Sequence, residues 1–227
     1  MSRNASGSRQ VTVCGHAINH STHICALFES EEQEFSCLAP YFAEGLEQGE
    51  QVFTIRNAME IDQYVERLGT RMSSPLRSYI NSRQFRLMTS EESYLAQESF
   101  DADRMIEALK EVLRETRAAG YRRVRTAGDM RWAVDSLGTT AGLMEYEARV
   151  NELTPQHDCT FMCIYDQSRM SGQAMMDVLS THPMVLMGSK IYENPYYVEP
   201  AVFLEKLRRR GSATPIARST TPPANDP

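Results

Sequence analysis

Apolar residues recur along this chain in two alternating periods. Short apolar runs read as strands at His23–Phe28, Gln51–Arg56, Phe85–Met88, Tyr121–Ala127, Thr160–Tyr165 and Met184–Met187. The segments between them repeat apolar residues every three or four positions, as one face of a helix does. Glu31–Gln48 places Phe35, Leu38, Phe42 and Leu46 on such a face and is closed by Gly49. Ala58–Leu68 ends at Gly69, and a loop containing Ser73, Ser74 and Pro75 leads on to the third strand. After that strand Thr89 stands as an N-cap, with Glu92 at the capping-box position. Asp101–Ala119 lines up Met105, Ile106, Leu109, Val112 and Leu113 before stopping at Gly120. Helical patterns also cover most of 132–153, interrupted at 138–142, and then Gly172–Leu179 and Pro200–Arg209. Strands alternating with helices imply an α/β fold: a single, mainly parallel sheet flanked by helices.

Composition bounds that domain. The chain has 227 residues, 41% hydrophobic and 24% charged, with a net charge of −6. This is enough apolar content for one large core, with no sign of a second and no internal repeat. An acidic balance argues against direct nucleic-acid binding, which draws on Lys and Arg. The basic clusters Arg122-Arg123-Val124-Arg125 and Arg208-Arg209-Arg210 fall in a predicted strand and at a helix end, where solvated or capping roles are expected. No apolar run approaches the roughly 18 residues that span a bilayer, and the polar N-terminus carries no signal-peptide core. The expectation is a cytoplasmic protein without membrane contact. Residues 1–10 and 211–227 are polar, the latter rich in Ser, Thr and Pro, and are expected to be disordered around a folded domain at 11–210. Five cysteines are an odd number, and in a reducing compartment buried thiols are expected rather than a disulfide framework.

The junction between the first strand and the first helix narrows the function. A phosphate loop there needs glycines for close backbone approach and a Lys-Ser/Thr pair for the phosphates and magnesium. Here Phe28 is followed by Glu29, Ser30, Glu31, Glu32, Gln33 and Glu34. Carboxylates crowded at a helix start repel a triphosphate. A nucleotide-binding framework without its nucleotide chemistry favours sensing or docking over catalysis.

In open parallel sheets, ligands bind beyond the carboxyl ends of the strands. Those ends carry Glu29 and Ser30, then Arg56 and Asn57, then Thr89, Ser90, Glu91, Glu92 and Tyr94. Gly128, Asp129, Met130, Arg131 and Trp132 follow the next strand, and Asp166 follows Tyr165. A shared pocket rim and an ordinary polar loop edge stand as alternatives. Trp132 and Met130 suit an apolar or aromatic ligand; Trp132 equally fits a core position where a helix meets the sheet. Glu145, Glu147 and Asn151 lie on one helix, and a solvated face accounts for them more simply than catalysis. His182-Pro183 and Asn194-Pro195-Tyr196-Tyr197 frame the last strand, placed to cap a pocket or a partner surface. No G-x-S-x-G elbow or nucleophile–base pair appears.

Cys14, His16, His20 and His23 form one cluster in sequence, and His157, Cys159 and Cys163 another; neither has paired C-x-x-C zinc spacing. Cys25 and Cys163 sit in apolar runs, as core thiols do. No metal ligand set is therefore assigned. The alternative is a joint site from both clusters, or a haem ligand such as His23 or His182.

Several motifs in order carry a resemblance. They are His23-Ile24-Cys25-Ala26-Leu27-Phe28, Gly45-Leu46-Glu47-Gln48-Gly49-Glu50, Gly128-Asp129-Met130-Arg131-Trp132, Glu145-Tyr146-Glu147 with Asn151, Cys163-Ile164-Tyr165-Asp166, Thr181-His182-Pro183 and Glu193-Asn194-Pro195-Tyr196-Tyr197. Together, from about His16 to Leu207, they resemble the MEDS domain, the sensory domain named for methanogens, methylotrophs and the DcmR regulator. The resemblance implies a divergent RecA/KaiC-like core that lacks a phosphate loop. It also implies sensing of small molecules, such as hydrocarbon derivatives, beside helix-turn-helix, kinase or anti-sigma modules. Before His16 there is no room for a DNA-binding domain, and after Arg210 only a Ser/Pro/Thr tail follows, so the expected output runs through a separate partner.

The expected function is a non-catalytic sensory domain that binds a small apolar or aromatic ligand and signals through a regulatory protein such as a kinase or anti-sigma factor. A homodimer is an open alternative, and the sequence names no cofactor. The residues expected to bind the ligand are His23, Glu29, Arg56, Glu92, Tyr94, Asp129, Met130, Trp132, Tyr165, Asp166, His182, Asn194 and Tyr197. Two other readings compete: a ligand-free scaffold built on a dead ATPase core, and a haem, metal or thiol sensor.

Overall fold

A seven-stranded sheet separates two layers of helices in the computed structural model, which describes residues 10–18, 21–73, 75–90, 92–93, 100–132 and 141–212. A hairpin of β1 (Val11–Val13) and β2 (His16–Ile18) comes first. The sheet strands are β3 (Thr22–Leu27), β4 (Gln51–Arg56), β5 (Phe85–Thr89), β6 (Val124–Asp129), β7 (Cys159–Tyr165), β8 (Met184–Met187) and β9 (Lys190–Glu193). The helices are α1 (Glu31–Glu47), α2 (Ile61–Arg71), α3 (Leu76–Asn81), α4 (Ala102–Ala118), α5 (Ala141–Val150), α6 (Gly172–Thr181) and α7 (Pro200–Ser212). The strand order is β5-β4-β6-β7-β3-β8-β9, parallel throughout except for the antiparallel β8–β9 edge. The expected α/β architecture is therefore present.

Successive side chains of a strand point to opposite faces. On β3, Ile24 and Ala26 pack with α1, α2 and α3, whereas Cys25 and Leu27 pack with α4, α5 and α6. Both layers are apolar across the sheet, as a parallel sheet buried on both faces requires. Ser30 caps α1 by accepting from the Gln33 N–H, and Glu31, Glu32 and Glu34 crowd its first turn, where the helix dipole favours negative charge. Gly49 (φ +77°) turns the chain from α1 into β4. The expected capping box also forms: Glu92 N–H donates to Thr89 Oγ1 (2.9 Å), and Thr89 N–H donates to Glu92 Oε2 (3.2 Å).

Four elements go beyond the sequence reading. The hairpin strands β1 and β2, the six-residue α3 and the exposed edge strand β9 are each too short for a periodic signal. The hairpin overturns one expectation. Val11, Val13 and Ile18 pack against α1, which brings Cys14 within a Cα distance of 5.1 Å of Cys37, and the two form a disulfide. Cys25, Cys159 and Cys163 are buried free thiols.

A second correction concerns the basic cluster. Arg125 is fully buried on β6, not solvated. Its guanidinium donates to Glu50 Oε2 (2.5 Å), to Glu44 Oε2 (2.5 Å) and to the Tyr41 carbonyl (3.0 Å). A Cβ on Gly45 would stand 2.9 Å from Arg125 Cδ and Nε. The spacing of Gly45 and Glu50 thus makes room for a buried cation and supplies its counter-charge. Among the described residues, no helix is long and apolar enough to cross a membrane.

Candidate functional site

Neighbouring strands β3 and β7 send their following helices, α1 and α6, to opposite faces of the sheet. Such a switch point opens a crevice beyond the strand ends. A cleft of about 350 Å³ lies there, lined by Phe28, Glu29, Ser30, Glu31, Glu34 and Arg131 on one side and by residues 164–168 on the other. Its polar wall has a local cause. Asp166 accepts from both the N–H (2.9 Å) and the hydroxyl (2.6 Å) of Ser168, folding the chain after β7 into a single turn.

Beneath the cleft, charges pair in a buried lattice. Arg56 at the end of β4 lies 2.6 Å from Glu34 Oε1 and 3.8 Å from Asp129 Oδ2, and donates to the Tyr64 hydroxyl (3.1 Å). Arg131 grips Asp129 through Nε (2.8 and 3.0 Å) and Nη2 (2.6 Å). Burial opposes ionisation of Asp129, but Arg131 and Arg56 hold it below the usual carboxylate range. Asp129 is therefore neutralised by protein cations rather than presented to a magnesium ion.

The other candidates disperse. Met130 is fully buried in the core, and Trp132 packs beside it against Phe100 (centroids 5.6 Å apart). Neither Met130 nor Trp132 lines the cleft, so the aromatic wall expected of them is not part of it. Glu92 serves its capping box. Asn194 donates to the carbonyls of Leu179 and His182 (2.7 Å each), tying β9 to the end of α6, and Tyr197 N–H donates to the Asn194 carbonyl (3.2 Å). Tyr94 lies outside the described residues.

A separate cluster lies between the sheet and α5. His23, Glu147, Cys163 and His182 are all buried. Glu147 Oε2 is 3.2 Å from His23 Nε2, 3.5 Å from His182 Nε2 and 3.4 Å from Cys163 Sγ, while His23 Nε2 is 3.3 Å from that sulfur. The Tyr165 hydroxyl donates to the other oxygen, Glu147 Oε1, at 2.5 Å. His182 Nδ1 lies 2.7 Å from the Val178 carbonyl, which only accepts, so Nδ1 carries the proton and Nε2 faces the cluster. Burial opposes the charge on Glu147, but the neighbouring His182 and His23 outweigh it and lower its pKa. Burial, with His182 beside it, pushes His23 down to about 4. Burial and the Glu147 charge push the Cys163 thiol and the Tyr165 phenol up.

A family model described as MEDS, the methanogen/methylotroph, DcmR sensory domain, matches residues 22–183. The chain belongs to the MEDS family. Among solved structures, a KaiC-like protein from the hyperthermophilic archaeon Pyrococcus horikoshii OT3 aligns at a TM-score of 0.51 and 12% identity, over 74% of this chain and 71% of that one. That likeness establishes a KaiC-like RecA fold for this MEDS chain and nothing about its chemistry. No curated protein matches.

The nucleotide that a RecA fold implies does not fit these residues. The β3–α1 junction of this MEDS domain carries Glu29, Ser30 and Glu31 where glycines and a lysine would cradle phosphates. Sequence reasoning also missed residues. Glu147, for which a solvated face is the simpler expectation, sits on the buried stripe of Leu143, Met144 and Val150, three or four residues from each. That spacing is the signal that a carboxylate points inward. Cys163 is expected first as a core thiol, with a metal, haem or thiol site as the alternative, and Glu34 and Arg131 carry no signal beyond their place at strand and helix ends.

Proposed function

We propose that this MEDS chain is a non-catalytic sensory domain that binds a small polar molecule in the β3–β7 cleft and reports occupancy to a separate regulatory protein, such as a kinase or anti-sigma factor. The observation that carries this reading is the cleft itself: a concave site at a switch point of the sheet, over a charge lattice already paired within the protein. Its lining sets Glu29, Glu31, Glu34 and Asp166 against Arg131. That chemistry suits a ligand with hydrogen-bond donors or positive charge, such as a small amine or polyol, better than the apolar or aromatic ligand expected from Trp132 and Met130. The partner surface belongs with the exposed apolar side chains Met187, Tyr192, Tyr196 and Val202 in the last elements of the chain.

A thermal-shift screen of small amines, polyols and organic acids tests the reading. A ligand present at 100 times its Kd adds about 2.7 kcal/mol to stability. The expected result is a compound that raises the wild-type Tm and loses that effect in Gln167→Ala and Arg131→Ala. A panel that leaves the wild-type Tm unchanged throughout, or a hit equally strong in both variants, overturns it.

A further inference from the structure

We propose that His23, Glu147, Cys163 and His182 form a closed, buried site for a divalent transition metal ion of the zinc type, holding it through His23 Nε2, His182 Nε2, Cys163 Sγ and Glu147 Oε2.

The geometry fits. Bonds of about 2.0–2.3 Å from zinc to nitrogen, oxygen and sulfur give a tetrahedron with edges of about 3.3–3.6 Å. The separations between neighbouring donor atoms are 3.2, 3.3, 3.4 and 3.5 Å, and all four donors lie within 4.8 Å of one another. They come from β3, α5, β7 and the residue that ends α6, so an ion there would fasten two helices to two central strands.

The surrounding hydrogen bonds already orient His182 and Glu147 as ligands. Ligating histidines usually donate their second ring N–H to a carbonyl or carboxylate, which fixes the tautomer. His182 does so through Nδ1 to Val178. Its Nε2 is buried, has no hydrogen-bond partner and points at a carboxylate oxygen, a lone pair facing lone pairs. Tyr165 occupies Glu147 Oε1 and leaves Oε2 for the cluster. A cation between these acceptors satisfies all of them.

Charge closes the argument. A buried carboxylate needs a counter-charge. When a dication binds, Cys163 releases its proton to solvent, and the thiolate and Glu147 together balance the ion while both imidazoles stay neutral. Thiolate and imidazole donors select zinc-like ions over calcium or magnesium.

Because the site is sealed, the full chain is unfolded in urea with chelator and refolded with equimolar Co²⁺. The expected result is the intense visible spectrum of four-coordinate cobalt together with a thiolate-to-cobalt charge-transfer band, both displaced by Zn²⁺. Cys163→Ser should lose the charge-transfer band, whereas Cys159→Ser, whose thiol lies outside the cluster, should keep it. His182→Gln, which removes a ligand, should weaken cobalt affinity strongly, and Tyr165→Phe, which removes an outer-shell hydrogen bond, should weaken it by about 10–100-fold; both report on the same site if Cys163→Ser fails to fold by circular dichroism. Refolded wild type that shows no charge-transfer band and no rise in Tm with either ion overturns the proposal. A band that survives in Cys163→Ser overturns it too. The cleft reading shares only Tyr165 with this site, draws on none of its four ligands, and is unaffected by either outcome.

Discussion

Tyr165 donates its hydroxyl to one oxygen of Glu147 at 2.5 Å and leaves the second oxygen to His23, His182 and Cys163. Tyr165 also borders the β3–β7 cleft, so one residue touches both the buried cluster and the proposed ligand site. A hydrogen bond to a charged group contributes about 1.5–3 kcal/mol. Tyr165→Phe keeps the ring packing and removes only that donor. It should destabilise the domain by about that amount in urea titration; an unchanged midpoint would mean that the hydroxyl is not committed to the carboxylate.

The cluster also makes the chelator-treated protein sensitive to acid. His23 is held at about 4, below its ordinary value of 6.5. Between those two values the unfolded chain takes up the proton and the folded one resists it, so this contribution is complete above pH 6.5 and is lost as pH falls toward 4. Its size is on the order of 3 kcal/mol. The lowered pKa of Glu147 acts the same way, but below its ordinary value of 4.5. Urea midpoints across this range should fall with pH in the wild type, and the fall above pH 4.5 should flatten in His23→Gln. A variant that keeps the full slope would assign it to another group.

Gly45 looks replaceable by propensity, since Ala in a helix interior is favoured by about 1 kcal/mol over Gly. Its missing side chain instead makes room for the Arg125 guanidinium, which Glu44, Glu50 and the Tyr41 carbonyl hold in place. Overpacking of this kind costs about 1–3 kcal/mol. Gly45→Ala should therefore lower the Tm. A neutral or raised Tm would show that the guanidinium can give way at little cost.

The reach of the sequence followed the length of its periodic signals. Strand β4 and strand β8 fall where the apolar runs placed them, and α1 and α4 agree to within a residue or two because Gly49 and Gly120 punctuate them. Short or edge elements carried too few residues for a period. The site was legible in part. Strand-end reasoning found Glu29, Arg56, Asp129, Tyr165 and Asp166, because polarity at a carboxyl edge follows from the topology. It could not show that Arg56 and Asp129 neutralise one another. Nor could it bring His23, Cys163 and His182 together with Glu147, since those residues meet across the sheet from parts of the chain far apart in sequence. A charged residue on an apolar stripe, as at Glu147, or in a buried strand, as at Arg125, was the available clue in both places.

The lattice under the cleft yields a sharper test, because Arg56 is the buried cation between two buried carboxylates, Glu34 and Asp129. Removing one member of a buried ion pair leaves an uncompensated buried charge and typically costs about 3–5 kcal/mol. Arg56→Gln should thus destabilise the domain by about that amount. Neutralising the stranded partner should recover part of the loss: Glu34→Gln in the Arg56→Gln background should be more stable than Arg56→Gln alone. Contacting pairs show interaction energies of about 0.5–3 kcal/mol in double-mutant cycles, and this pair belongs at the upper end because Glu34 lies within 2.6 Å of the guanidinium. Simple additivity of the two substitutions would mean that Asp129 and Arg131 hold the lattice by themselves.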